Sequence, residues 1–204
     1  YVNQGSLVSS QWLADHLSTP DVLIVDASWF LPGEERNGRE EYKNAHIPGA
    51  TFFDIDGFAD TENDLPHMLP EPEAFSSMMG HLGIGAGHRI VVYDRHGLFS
   101  AARVWWTLRA FGHDEVAILD GGFPKWQREN RPLSDLPIIP RERPFRARLN
   151  NLMVRDIDQV RKNIKTAKAQ LLDARGAARF TGEAPEPREG MRSGHIPGSL
   201  NLPY

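Results

Sequence analysis

Few residues of this chain have side chains suited to covalent or proton-transfer work, and their neighbours narrow what each can do. The tetrapeptide His-Ile-Pro-Gly occurs twice, as His46-Ile47-Pro48-Gly49 and His195-Ile196-Pro197-Gly198. An imidazole can move protons, but proline fixes φ and glycine reaches backbone conformations that other residues avoid, so the pair turns the chain from a helix into a strand. A structural role for His46 and His195 is the expectation. Phe53-Asp54-Ile55-Asp56-Gly57, with Asp60-Thr61 beyond it, imitates the Asp-x-Asp pattern in which the first carboxylate attacks phosphorus beside Mg²⁺. Only Thr51, Phe52 and Phe53 precede it in place of a full strand, Phe58 stands where Thr or Val is needed, and no acidic cluster follows, so a phosphatase is kept only as an alternative. Residues 94–99 are better placed. They leave an apolar run at its carboxyl end and enter a helix at Ser100, where unpaired backbone N–H groups and the helix dipole favour an anion. A nucleophile there would be activated. Asp94 holds the first position, and with no general base or metal cluster beside it, it reads as a hydrogen-bonded loop residue. The chain has no cysteine, which excludes disulfides, thiolate metal sites and a cysteine nucleophile within these residues. Its eight histidines show no His-Glu-x-x-His or similar spacing, so no metal site is expected.

The elements that must hold these residues alternate in type. Apolar, β-branched runs at 22–27, 51–53, 89–93 and 116–119 read as strands. Pro72 and Glu73 open a helix with Phe75, Met78, Met79 and Leu82 on one side and Gly83 at its end. Ser100 is the expected N-cap of another, carrying Val104, Trp105, Leu108 and Phe111 as far as Gly112. Gly121-Gly122 turn into a short helix around Trp126, while 40–45 reads as a charged turn. Trp12, Trp105, Trp106 and Trp126 are expected in the core; the adjacent pair point about 100° apart, so at most one is central to a given face. Strands separated by helices predict an α/β domain with a central, mostly parallel sheet flanked by helices.

With 40% hydrophobic and 25% charged residues the composition is globular, and a net charge of −4 gives no electrostatic attraction to nucleic acid or an anionic membrane. The longest apolar runs, 22–25 and 90–93, are strand-sized, far short of the roughly 18 residues of a membrane span. No basic and apolar leader opens the chain, which begins at Tyr1, and a cytoplasmic location is expected.

A chain of 204 residues exceeds one average domain and falls short of two. Prolines 132, 137, 140 and 144 break any periodicity, so 136–150 reads as a linker between a domain at 1–135 and a second at 151–204. In the second, Asp156 caps a helix through Ile157, Val160 and Ile164, and 169–174 repeats the strand pattern. Val25-Asp26-Ala27 is echoed by Leu172-Asp173-Ala174, and the two His-Ile-Pro-Gly turns repeat beside them, at offsets of 147 and 149 residues. Two landmarks repeating together indicate an internal duplication. The second copy stops six residues past its turn, so it is expected to be incomplete, with 171–174 and 200–204 lacking sheet partners.

The repeated tetrapeptide, with Val92-Tyr93-Asp94, Ser100-Ala101-Ala102-Arg103-Val104-Trp105-Trp106 and Leu119-Asp120-Gly121-Gly122, resembles the tandem-domain rhodanese sulfurtransferases over nearly the whole chain. Leu65-Pro66-His67-Met68-Leu69-Pro70 and Pro185-Glu186-Pro187-Arg188 resemble the branch of that family that uses 3-mercaptopyruvate. The resemblance implies two similar α/β domains. The first lacks the catalytic cysteine, with Asp94 in its position; the second carries it in the corresponding loop, some 48 residues beyond His195 and outside this chain. It implies a transferase that moves sulfane sulfur from 3-mercaptopyruvate through a cysteine persulfide to a thiol or cyanide, releasing pyruvate. These 204 residues alone are then expected to be inactive. Thiosulfate as donor, or a non-catalytic binding or regulatory module, are the alternatives. By the same resemblance Arg179 and Arg188 hold the carboxylate and keto oxygen of the donor, guanidinium forks suiting planar acceptors. In thiosulfate-preferring relatives the position of Arg188 is typically acidic. His67 and Asp56 match a proton-relay pair that works with a serine of the catalytic loop. Read without the family, Arg188 is a solvated loop charge and His67 a packing or capping residue. The implied partners are a small-molecule sulfur donor and a thiol acceptor such as a thioredoxin-like protein, with no nucleic acid, no membrane, and no metal or organic cofactor.

Overall fold

The computed structural model describes residues 5–187 and 190–204. The chain divides into two compact units, Tyr1–Asn151 and Leu152–Tyr204. In the first, β1 (Leu7–Val8), α1 (Ser10–Asp15), β2 (Val22–Asp26), α2 (Gly38–Asn44), β3 (Ala50–Phe52), α3 (Pro72–His81), β4 (Arg89–Tyr93), α4 (Ser100–Ala110), β5 (Val116–Leu119) and α5 (Gly122–Arg128) follow one another. The strands form one sheet in the order β1-β5-β4-β2-β3, every pair parallel. Parallel neighbours need crossovers, and the helices that supply them cover both faces. Strand pleating assigns each side chain to a layer. Val25, Ile90, Val92, Val116 and Ile118 pack with Phe75, Met79, Val104 and Leu108 of α3 and α4. Ile24, Val91, Tyr93, Ala117 and Leu119 pack with Leu13, Phe123 and Trp126 of α1 and α5.

This is the α/β architecture expected, with local differences. Residues 40–45 lie in or against α2 rather than forming a charged turn. Asn37 Oδ1 accepts from the N–H of Glu40 at 3.0 Å and starts that helix, which buries none of its residues and therefore has no apolar stripe to read. Trp126 is fully buried and donates to the carbonyl of Pro132 at 2.8 Å. Trp106 does not join it. It is half-buried and carries the Arg103 guanidinium over its ring at 5.1 Å, and Trp105 is half-buried too, packing against the first core under Arg109, so neither of the adjacent pair is a core residue.

Residues 136–150 do not form a free linker along their whole length. Phe145, Ala147 and Leu149 alternate inward against the first core. The N–H groups of Arg143, Asn150 and Arg148 donate to the carbonyls of Gly80, Ala110 and Phe111 at 3.2, 2.7 and 3.0 Å. Those carbonyls end α3 and α4, where the helix itself offers no donor. The proline-rich chain thus serves as a common C-terminal cap for two helices.

His113, buried ahead of β5, has its pKa lowered from 6.5 chiefly by burial. The unfolded chain then binds that proton more readily than the folded one, so stability is full above the ordinary histidine value and falls as pH drops through it. The urea midpoint of the chain is expected to fall between about pH 7.5 and about pH 5.5. His113→Gln should flatten that part of the profile, and an unaltered slope in the variant would refute the assignment.

The second unit contains α6 (Ile157–Thr166), β6 (Leu172–Asp173), α7 (Ala177–Thr181) and β7 (Leu200–Asn201). Asp156 forms the expected cap as a reciprocal capping box with Gln159. β6 and β7 make a two-stranded parallel sheet on which Leu172 and Leu200 are 56% and 55% exposed, as expected of strands without further partners. Among the described residues no helix is long and apolar enough to cross a membrane.

Candidate functional site

In the first unit the chain runs from β2 to β3 on one side and then to β4 on the other, so the carboxyl ends of β2 and β4 mark where the topology reverses, the usual ligand position in open α/β sheets. Asp26 and Tyr93 are register partners there. The next residue, Asp94, is completely buried. Its Oδ1 accepts from the N–H groups of His96 and Gly97 at 3.0 and 2.8 Å, and its Oδ2 from those of Phe99 and Ala101 at 2.6 and 2.8 Å. The anion favoured at the start of α4 is therefore supplied by the chain itself. Asp94 does the capping expected of Ser100, whose hydroxyl instead accepts from the N–H of Trp29 at 3.3 Å. Gly122, at φ +53°, lets α5 close on this loop, because a Cβ there would lie 2.6 Å from the carbonyl oxygen of Asp94.

Behind the loop, Asp26 Oδ1 accepts from the N–H of Ser28 at 2.9 Å, and its Oδ2 lies 3.6 Å from Arg95. Burial pushes the Asp26 carboxyl up, opposed by Ser28 and Arg95. Burial also raises the Tyr93 hydroxyl well above its ordinary value, with the Asp26 charge adding to it. Arg95 donates to the carbonyls of Glu41 and Ala45 and stacks over Phe123 at 4.1 Å, tying α2 and α5 to the loop. Asp26 and Arg95 thus hold backbone groups in place.

The structure brings His67 and Asp56 together. His67 Nε2 lies 3.6 Å from Asp56 Oδ1, and Trp29 Nε1 donates to Asp56 Oδ2 at 2.9 Å. The Trp29 and His67 rings meet edge to face at 5.1 Å. Asp54 turns away, paired with Arg39 at 2.9 Å and accepting from the N–H of Gly57 at 3.2 Å, so the carboxylates of the Asp-x-Asp run face different partners. Trp29 had no motif to announce it.

The second unit repeats three features of the first. Asp173 Oδ1 accepts from the N–H of Arg175 at 3.0 Å, as Asp26 does from Ser28. Val25 is in register with Thr51, and Leu172 with Leu200. His46 donates from Nδ1 to the carbonyl of Tyr42 at 2.8 Å and stacks on its ring at 4.3 Å; His195 does the same with Phe180, at 2.8 and 3.9 Å. Both histidines are thus held as structural staples. Where Ser28 stands in the first copy the second has Arg175, which forks onto Asp173 and reaches Glu186 at 2.6 Å. Arg175 holds the Asp173 carboxyl down to about 2. Glu186, its side chain 1% exposed, also accepts from Arg179 at 2.5 Å, and Arg179 first, then Arg175, keep its carboxyl below the usual range. Arg179 is thus tethered in place; Arg188 lies outside the described residues. The change from serine to arginine at the third position of the repeated Asp-Ala-x was the sequence signal for Arg175; nothing marked Glu186.

The sequence and the architecture are both similar to those of known proteins. The family model for the rhodanese-like domain matches residues 9–129. A 3-mercaptopyruvate sulfurtransferase of Homo sapiens is 44% identical over 205 residues, spanning 98% of this chain and 69% of that protein. One of Escherichia coli (strain K12) is 46% identical over 198 residues, spanning 97% and 70%. The crystal structure of SseA from Escherichia coli, described as showing the "rhodanese" fold and catalytic mechanism of 3-mercaptopyruvate sulfotransferases, superposes with a TM-score of 0.88 at 44% identity, over 97% of this chain and 74% of that one.

Proposed function

The chain belongs to the rhodanese family, and from that premise we propose that it forms the non-catalytic unit and the opening of the catalytic unit of an enzyme that transfers sulfur from 3-mercaptopyruvate. The observation that carries this reading is identity of 44–46% along almost the whole chain to proteins of that activity, in a sequence without a cysteine. The buried Asp94 is in keeping with it, since a loop whose anion cradle is filled by its own carboxylate has no room for a nucleophile.

In this reading a cysteine thiolate outside these residues attacks the donor sulfur. The C–S bond breaks, its electron pair leaves on carbon as the enolate of pyruvate, and the cysteine is left as a persulfide. Protonation of the enolate carbon gives pyruvate. A thiolate or cyanide then takes the outer sulfur and returns the cysteine thiolate. Arg179 and Arg188 bind the donor's carboxylate and keto oxygen, which lowers the enolate's energy as charge develops on that oxygen. His67 and Asp56, working with a serine of the catalytic loop, relay the proton. We place the protein in the cytoplasm, where acceptor thiols are kept reduced.

The 204-residue chain is expected to form no thiocyanate from 3-mercaptopyruvate and cyanide, whereas protein expressed from the complete reading frame does. Turnover by the 204-residue chain overturns the reading, and turnover of the complete protein with thiosulfate alone reassigns the donor.

A further inference from the structure

His67 is a non-glycine residue at φ +59°, a left-handed conformation that persists only where its surroundings enforce it. Its own side chain does not enforce it, since the 3.6 Å approach to Asp56 is long for a hydrogen bond. The enforcement is on the backbone. The guanidinium of Arg103, projecting from α4, donates to the carbonyl oxygen of His67, and the carbonyl of the next residue, Met68, accepts from the N–H of Asp60 at 2.9 Å. Arg103 has no carboxylate partner among the described residues. It is partly buried, which lowers its pKa, and its guanidinium rests on Trp106 at 5.1 Å. A cation kept in such a place without a counter-ion calls for a reason, and the bond it makes is to His67. α4 is a rigid platform, with Ala101, Val104 and Leu108 buried along it and Asp94 fixing its first turn.

We infer that Arg103 is a positioning residue for His67, holding its backbone left-handed so that the imidazole faces Trp29 and Asp56. The inference deepens the relay reading of His67 and rests on it for its catalytic consequence, but the geometric claim can be tested separately. Without the guanidinium, His67 relaxes toward negative φ, and its ring moves off the edge of Trp29.

The test has two arms. By NMR on the 204-residue chain, the wild type is expected to show a nuclear Overhauser effect between the His67 ring and the Trp29 indole. Arg103→Met, which keeps the aliphatic stem but has no donor, should abolish it while leaving the amide spectrum of the sheet intact. Arg103→Gln, too short to reach the carbonyl, gives the same readout should the methionine variant not fold. Persistence at wild-type intensity in a folded variant overturns the inference. In the complete protein, His67→Ala is expected to lower kcat about 100-fold with KM for the donor unchanged, and Arg103→Met about tenfold or more. The double variant should be no slower than His67→Ala alone, because both changes remove one function. Multiplying losses would show that Arg103 acts elsewhere and overturn the inference. An unchanged kcat in His67→Ala, together with disappearance of the ring-to-ring Overhauser effect in Arg103→Met, would sink the relay reading and leave the positioning role standing.

Discussion

Asp94→Asn is expected to lower the unfolding free energy of the first unit by about 3 kcal/mol, a large share of the roughly 5–15 kcal/mol that holds a domain together. The two side chains have nearly the same size, so packing does not explain the loss. Asp94 Oδ1 and Oδ2 each accept from two backbone N–H groups. An amide keeps only one of those oxygens. Its NH₂ must face two donors, either those of His96 and Gly97 or those of Phe99 and Ala101, leaving two N–H groups of the loop, shielded wholly or in part from water, without an acceptor. Equilibrium unfolding in urea, followed by tryptophan fluorescence, measures the effect. A loss below about 1 kcal/mol would mean that the loop rearranges and that the cradle is not specific for an anion.

Arg188→Ala in the complete protein is expected to raise the KM for 3-mercaptopyruvate about 30-fold, with a smaller change in kcat and an unaltered unfolding midpoint. Hydrogen bonds to a charged group contribute about 1.5–3 kcal/mol, and the guanidinium fork provides up to two of them to one carboxylate. Arg179 is not able to compensate, because Glu186 already holds it at 2.5 Å. An unchanged KM sinks the assignment of Arg188, and a parallel rise with thiosulfate as donor would show that the residue does not select between the two.

The strands β2 and β4 were legible because parallel strands covered on both faces must be continuously apolar, and α3 and α4 because each carries one apolar stripe. α2 was not, since a helix that buries nothing leaves no periodicity. The ribbon ending at Asn150 was misread in part because its prolines spoke louder than the alternation of Phe145, Ala147 and Leu149. At the site, strand, loop and helix were enough to single out Asp94. The proximity of His67 to Asp56 came from family resemblance rather than spacing. Trp29 and Arg103 escaped notice because their partners lie 27 and 36 residues away in the chain, and no local pattern encodes such a pairing.

The duplicated histidine staple closes a different span of chain in each copy. From the aspartate that ends the first strand to the histidine of the turn there are 20 residues in one copy and 22 in the other. Yet the aromatic partner stands four residues before the histidine in the first copy and fifteen before it in the second. The staple therefore closes a single helical turn at the end of α2 in the first copy, and the whole stretch from α7 to the turn in the second. In the first copy the long stretch outside any helix lies between Asp26 and α2; in the second it is the arm after α7, which bears Glu186. Because His195 and Phe180 clasp that arm at its two ends, substitutions along it are expected to leave the β6–β7 register unchanged. The arm is thus free to differ in sequence and length while the sheet beside it keeps its pairing.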